Sequence, residues 1–192
     1  MSEYTVKALG PGTWSDFADL AGRHNGVWNG CWCTWFHTFY SDKDKDRTAE
    51  DNRDAKHERV NEGRAHAALV FDGDDCLGWC QFGSPAELPR IKSRAAYEKG
   101  AGEPPDWRIA CNFVGKGNRR KGVATAALAG ALELIAGLGG GTVEGYPEHA
   151  GSVPAGFLFN GAVSTYERLG FVRDRQIGKH RWVMVRRVEP AG

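Results

Sequence analysis

One stretch of the chain, residues 107–138, constrains the fold most, because it joins a strand pattern to a glycine-rich loop and a long apolar helix pattern. Residues 109–114 are apolar except for one asparagine, which is typical of a buried strand. A loop with three glycines and four cations follows at 115–122. From Val123 onwards apolar side chains recur at helical spacing over a wide face, and glycines at 139–141 end the pattern. The stretch predicts a strand, a loop and a mostly buried helix in succession.

The loop before this helix indicates an anion. Lys116, Arg119, Arg120 and Lys121 all precede the first helical turn. The free N–H groups and the macrodipole already make a helix N-terminus positive, so a cation there is unfavourable by about 0.3–1 kcal/mol. Glycines let the backbone approach a phosphate closely, and the free N–H groups can surround it. The loop is therefore a candidate phosphate site. The alternative is a solvated basic loop on a buried helix.

Two common phosphate-binding motifs do not fit this loop. A P-loop requires Lys followed by Ser or Thr, whereas Gly117-x4-Gly122 is followed by Val123 and an alanine. A dinucleotide-binding fingerprint requires a third glycine, but Gly115-x-Gly117-x-x ends on Arg120. The loop must therefore be compared with other phosphate-binding signatures.

Two motifs resemble the signatures of the GNAT superfamily of acyl-CoA-dependent N-acyltransferases. Arg119-x-x-Gly122-x-Ala124 resembles the Arg/Gln-x-x-Gly-x-Gly/Ala signature that binds the coenzyme A pyrophosphate in that family. The run 160–171, with Asn160 and then Tyr166-Glu-Arg-Leu-Gly-Phe, resembles the family's Asn-x-x-Ala-x-x-x-Tyr-Glu-Lys-Leu-Gly-Phe. The two motifs occur in the family's order, and the resemblance covers essentially the whole chain. The Cys-Trp-Cys segment and the Ser-Pro-x-Glu-Leu-Pro-Arg run also look like an actinobacterial-type subgroup, to which we attach no acceptor.

The remaining patterns agree with such a fold. Strands are predicted near 4–9, 65–71, 77–82, 142–147, 171–177 and 181–188, and helices near 14–21, 49–60, 93–99 and 160–170. Hairpins alternate with helical crossovers, which predicts a mixed sheet. The resemblance implies a single α/β (α+β) GNAT domain over 1–192, with a mixed, mostly antiparallel sheet of about seven strands and about four helices. Residues 84–107 would be an inserted loop, and 189–192 a tail.

An aromatic segment at 26–40 allows several interpretations. Trp28, Trp32 and Trp35, together with two phenylalanines, fit one helical face and predict a helix. The rings either fill the core or line a pocket that holds a cationic amine by cation–π attraction. The resemblance favours an acceptor pocket, formed by these three tryptophans and Tyr146. Zinc ligation by the Cys-x-Cys pair and a nearby histidine is disfavoured, because the spacing is unusual and no second pair exists. We predict no metal site.

Composition excludes several classes of protein. The formal net charge of +1 argues against nucleic acid as a partner. No apolar run approaches the roughly 20 residues of a membrane helix. The first residues lack a signal peptide pattern, which predicts a cytoplasmic protein. Five cysteines, an odd number, indicate reduced thiols rather than a disulfide framework.

The resemblance implies transfer of an acetyl group from acetyl-CoA to the primary amine of a small molecule or peptide, by direct attack in a ternary complex. Homodimers are common in the family. The cofactor-binding residues would be Asn112, Phe113 and Val114 for the pantetheine arm, Arg119, Arg120, Lys121, Gly122, Val123 and Ala124 for the pyrophosphate, and Asn160 as an orienting residue or helix cap.

The catalytic residues are harder to assign. Tyr166 is the candidate general acid, because a phenol with a pKa of about 10 can protonate a thiolate. Candidate bases are Asp106, Glu144 or a water relay, since the strand at 109–114 carries no carboxylate. Covalent transfer through Cys111 is disfavoured because no histidine lies nearby in the sequence. The missing carboxylate keeps open a non-catalytic acyl-CoA sensor as the alternative function.

Overall fold

The computed structural model describes residues 4–37, 46–151 and 158–192. Its centre is a seven-stranded sheet in the order β1-β2-β3-β4-β5-β7-β6. The strands are β1 Thr5–Ala8, β2 His66–Asp72, β3 Asp75–Gly83, β4 Trp107–Val114, β5 Gly141–Gly145, β6 Val172–Gln176 and β7 Trp182–Val188. Every neighbouring pair is antiparallel except β4 and β5, which are parallel. The prediction of a mixed, mostly antiparallel sheet of about seven strands is confirmed.

Five α-helices accompany the sheet in the described part of the chain. They are α1 Trp14–Gly22, α2 Ala49–Asn61, α3 Arg94–Lys99, α4 Val123–Gly137 and α5 Val163–Arg168. The sequence predicted about four, and the short helix expected near 93–99 inside the inserted loop is α3. No helix of the described residues combines the length and the apolar character needed to cross a membrane.

The sheet separates two hydrophobic clusters. Along β2, Ala67 and Leu69 belong to one cluster and Ala68 and Val70 to the other, because side chains alternate between the faces of a strand. Helix α4 covers the second face, where it buries the apolar residues that the sequence pattern selected, except Leu138, which follows the helix and is exposed. Helix α1 and the aromatic segment cover the first. The two sides of β4 therefore face different environments.

The parallel pair β4 and β5 separates part-way along its length. Their register runs from Trp107 opposite Val143 to Ile109 opposite Gly145, where β5 ends. Strand β4 continues past the end of β5 to Val114, still paired with β3 on its other side. Beside it lies the chain before α5, since the Asn112 N–H donates to the Phe159 carbonyl at 2.6 Å. This opening positions the site described below.

The predicted helix in the aromatic segment is wrong for the residues that the structure describes. Residues 23–37 form successive turns, and six non-glycine residues there have positive φ: Asn25, Val27, Trp28, Asn29, Trp32 and Cys33. Left-handed backbone at these positions cannot continue a right-handed helix. Gly26 and Gly30 share this conformation. Part of the segment, including Phe39, lies outside the described residues.

Candidate functional site

The glycine-rich loop leads directly into α4. Gly122 is the N-cap residue of α4 with φ 87°, and Gly117 has φ 89°. A Cβ atom at either glycine would meet nothing within 4 Å, so the space in front of the loop is open. The first turn of α4 contains no acidic residue, and Gly122 has no side chain to cap the helix. The N–H groups at this end are therefore available to an anion.

A cavity of about 360 Å³, here called the loop cavity, opens at this helix end. It is lined by Trp28, Asn112, Phe113, Val114, Asn118, Arg119, Arg120, Gly122, Val123, Ala124, Thr125, Leu158, Gly161, Ala162, Thr165 and Arg168. Every predicted cofactor-binding residue is in this lining except Lys121 and Asn160. Lys121 is exposed beside it, whereas Asn160 is buried and donates its side-chain N–H to the Ala110 carbonyl.

The loop cavity is electropositive and contains an unused hydrogen-bond acceptor. Arg119, Arg120 and Arg168 line it, and no described carboxylate forms an ion pair with any of them. Asn112 Nδ2 donates to the Ala124 carbonyl at 3.4 Å, but its buried Oδ1 has no hydrogen-bond partner among the described residues. Buried polar atoms are normally satisfied, so Oδ1 indicates a donor on a bound molecule.

Tyr166 lies one layer behind the loop cavity. Its side chain is fully buried, and its hydroxyl donates to the Asn160 carbonyl at 3.0 Å. The ring packs so closely on Gly145 that a Cβ there would lie 2.1 Å from Tyr166 Cε1. Burial raises the pKa of Tyr166 well above its ordinary value, so the phenol remains a proton donor.

The two carboxylates that the sequence nominated as bases lie in neither cavity. Glu144 is buried and accepts hydrogen bonds from Tyr97 and Tyr146, both at 2.9 Å. Burial, followed by the Glu144 charge, raises the pKa of both tyrosines. Asp106 accepts the Thr142 N–H at 2.7 Å, at the start of β4. The loop lies at the far end of that strand, roughly 26 Å away at about 3.3 Å per residue.

A second cavity of about 360 Å³, here called the aromatic cavity, adjoins the first. It is lined by Trp28, Asn29, Cys31, Cys33, Trp35, Phe36, Asn52, Lys92, Cys111 and Phe159. Trp28 lines both cavities, and Cys111 on β4 precedes Asn112, which lines the loop cavity. The two cavities therefore meet at β4 and Trp28.

Only two of the four predicted pocket residues line the aromatic cavity. Trp28 and Trp35 do so. Trp32 is instead buried against Trp14 and Phe17 in the core. Tyr146 follows the last residue of β5 and belongs to a separate hydrophobic cluster, where its hydroxyl donates to Glu144.

The aromatic faces already carry protein cations. The Arg90 guanidinium lies 3.8 Å from the Trp35 ring centre, and Lys92 Nζ lies 4.1 Å from that of Phe159. Both cations belong to the inserted loop, which therefore contributes to the cavity wall. Lys92 is the one charged side chain among the described lining residues.

A buried polar cluster lies beneath the aromatic cavity. Lys56 Nζ lies 3.0 Å from His37 Nε2 and 3.3 Å from Gln81 Oε1. His37 Nδ1 lies 3.1 Å from the Glu87 carbonyl, which can only accept, so Nδ1 carries the proton and Nε2 accepts. Burial lowers the pKa of His37 well below its ordinary value and also lowers that of Lys56.

The cysteines near this cluster form no disulfide, and two of them contact each other. All five cysteines are free, and four are buried. Cys33 Sγ lies 3.1 Å from Cys111 Sγ and accepts the Trp79 indole N–H at 3.3 Å. Among the described residues, no group of three histidine, cysteine or acidic side chains is placed to hold a metal ion. Cys31, Cys33 and His37 do not converge on one point as zinc ligands would.

No protein-family profile matches the sequence, and no curated protein matches it either. Solved structures do match. A GNAT-family acetyltransferase from Streptococcus pneumoniae is 13% identical with a TM-score of 0.53, over 97% of this chain and 99% of its own. A protein described as histone acetyltransferase HPA2 and related acetyltransferase, from Corynebacterium glutamicum, is 15% identical with a TM-score of 0.56, over 100% and 98%. The PaiA N-acetyltransferase from Thermoplasma acidophilum, solved with coenzyme A, is 13% identical with a TM-score of 0.52, over 96% and 99%.

The chain has the GNAT fold. Because the identities are low, the likeness establishes the architecture, and the subgroup remains a prediction. Within the GNAT fold, sequence reasoning missed Arg168 in the loop cavity, although this arginine replaces the lysine of the second signature and keeps its charge. It also missed Lys92 in the insertion and the Lys56 cluster, for which the sequence offered no local signal.

Proposed function

We propose that the protein is an N-acetyltransferase that moves an acetyl group from acetyl-CoA to a primary amine by direct attack in a ternary complex. The observation that carries the proposal is the loop cavity, in which a helix N-terminus, open glycine positions and unpaired arginines converge. A PaiA N-acetyltransferase with the same fold was solved with coenzyme A, which supports the choice of ligand.

The lining residues fit the parts of this ligand. The N–H groups at 119–124 would hold the pyrophosphate, and Arg119 and Arg168 would pair with its charges. The unpartnered Asn112 Oδ1 would accept an amide N–H of the pantetheine arm. The thioester would then lie where the two cavities meet, facing an amine in the aromatic cavity. Tyr166 lies one layer behind the cavity, and to protonate the departing thiolate it would turn its hydroxyl from the Asn160 carbonyl toward the thioester.

The non-catalytic acyl-CoA sensor remains the second candidate. One observation favours it, since no carboxylate is among the described lining residues of either cavity. A sensor would bind acetyl-CoA and acetylate no amine, whereas an enzyme would do both. Turnover with an amine panel therefore separates the two.

Substitution of Gly122 tests the loop assignment. Gly122→Asn tolerates the left-handed backbone at φ 87° without adding charge, whereas Gly122→Glu places a carboxylate where the pyrophosphate would bind. Calorimetric titration with acetyl-CoA and with desulfo-CoA should show saturable binding to the wild type. We expect the Glu variant to bind at least tenfold more weakly than the Asn variant, about 1.4 kcal/mol. Equal affinity of the two folded variants would refute the assignment.

A further inference from the structure

The buried lysine Lys56 forms no ion pair with a carboxylate of the described residues. Its side chain is 1% exposed, and its hydrogen-bond partners, His37 and Gln81, are both uncharged. Burial lowers the pKa of its ammonium, and the charge of Cys33 and, after it, that of Glu87 oppose this. Lysine is almost never fully buried unless paired, because an isolated charge is costly to remove from water. An anion near Lys56 would resolve this.

The sulfur of Cys33 is suited to be that anion. The thiol of Cys111, 3.1 Å away, and the indole N–H of Trp79, 3.3 Å away, are both able to donate to it. The hydrogen bond from Cys111 is the largest influence on the pKa of Cys33 and lowers it; Lys56 and Trp79 lower it further, against burial. Thiolate character at neutral pH is what makes a cysteine chemically active.

Cys33 and Cys111 lie where the proposed reaction needs a general base. Cys33 and Cys111 line the aromatic cavity, next to the point where it meets the loop cavity. No described lining residue of either cavity is a carboxylate, and Glu144 and Asp106 are bound elsewhere. An amine that attacks a thioester must lose a proton, and Cys33 is the acceptor that the cavity offers.

We propose that the Cys33 thiolate, held by Cys111, Trp79 and Lys56, is the general base that deprotonates the acceptor amine. The inference rests on the proposed N-acetyltransferase function. As the amine nitrogen bonds to the acyl carbon, an N–H proton passes to Cys33 Sγ, and the carbon–sulfur bond of the thioester breaks. The departing thiolate takes a proton from Tyr166, and the proton on Cys33 returns through water to Tyr166. No oxidant or further reactant is consumed.

Several titratable groups surround Cys33. Cys111 contacts it from β4, and Lys56 acts on it from α2, with His37 bound behind that lysine. Cys31 belongs to the same turn segment, and burial followed by the charge of Cys33 raises its pKa. Lys92 lines the same cavity. Lys56 favours the thiolate of Cys33, whereas the raised pKa of Cys31 favours its protonated form.

A spectroscopic titration tests the thiolate without any acyl transfer. The ultraviolet absorbance of a thiolate should disappear on acidification in the wild type and be missing from Cys33→Ser. Lys56→Met removes the lysine charge and keeps the length of the side chain, so the same titration should move to higher pH. If Cys33→Ser gives the wild-type titration, Cys33 is a neutral thiol and the proposal fails.

Kinetics test the base itself. Cys33→Ala and Cys33→Ser should lower kcat/KM by roughly 100-fold and remove its acidic limb. Lys56→Met should shift that limb to higher pH. Cys76→Ser is the matched control, because Cys76 is buried on β3 outside both cavities and burial raises its pKa to about 11. Wild-type turnover by folded Cys33→Ala would overturn the base and leave the proposed function intact. A wild type that acetylates no amine would overturn both.

Discussion

Tyr166→Phe separates a catalytic from a structural role for the phenol. The hydroxyl donates to the Asn160 carbonyl at 3.0 Å inside a fully buried environment. Removing it leaves that carbonyl unsatisfied, which costs about 1–3 kcal/mol. For a domain of this size each kcal/mol lowers Tm by roughly 2–4 °C. Loss of a general acid would in addition lower kcat by about 100-fold, with no change in acetyl-CoA affinity.

The assay for Tyr166→Phe combines three measurements. Urea unfolding gives the stability, calorimetry gives the affinity for acetyl-CoA, and release of the coenzyme A thiol gives kcat at a temperature where the variant is folded. Tyr97→Phe is the control, because it removes a buried hydroxyl that donates to Glu144 at 2.9 Å, outside both cavities. It should lower stability by about 1.5–3 kcal/mol and leave kcat unchanged. If Tyr166→Phe lowers stability alone, Tyr166 supports the fold and another group protonates the thiolate.

Two further predictions concern the acceptor and acid stability. Lys92 lines the aromatic cavity, and Arg90 already covers the face of Trp35. Amines that bear a carboxylate should therefore be acetylated with a higher kcat/KM than diamines. Lys92→Glu should reverse this order, whereas the control Lys99→Glu on α3 should not. An unchanged order in Lys92→Glu would remove Lys92 from acceptor selection. Because the pKa of His37 is depressed in the folded protein, the unfolded chain alone takes up this proton as pH falls below about 6.5. The free energy of unfolding should therefore fall by about 1.4 kcal/mol for each pH unit below that value because of this histidine. Urea unfolding at several pH values should show that His37→Gln lacks this contribution.

Local chemistry made the core of the site predictable from sequence. The loop at 115–122 has a recognisable spacing, and the helix after it has an apolar period, so the lining residues of the loop cavity between 112 and 125 are neighbours along the chain. The same reasoning failed in the aromatic segment. Its spacing matches a helix, but left-handed residues such as Val27 and Trp32 divide it into turns. Tertiary packing stabilises these conformations, and a periodicity argument contains no information on it.

Contacts between distant parts of the chain determine the rest. Cys33 and Cys111 are separated by 78 residues, and Lys56 and Gln81 by 25, so no motif could join them before the fold was known. The position of Asp106 was not predictable for a related reason. Sequence proximity to β4 did not reveal which end of the strand faces the loop, and Asp106 lies at the opposite end.

One arrangement of charges, Lys56 near the Cys33 sulfur, explains two observations together. These are the burial of Lys56 and the absence of a carboxylate from the described cavity linings. A carboxylate beside Lys56 would neutralise the lysine and remove its influence on Cys33. Lys56 is hydrogen-bonded to neutral His37 and Gln81, and among the anionic groups that act on its charge Cys33 has a larger effect than Glu87. Lys92 lines the aromatic cavity and disfavours an ammonium ion beside it, so an amine there would bind more readily in its neutral, nucleophilic form. Lys56 would thus prepare the base, and Lys92 the amine.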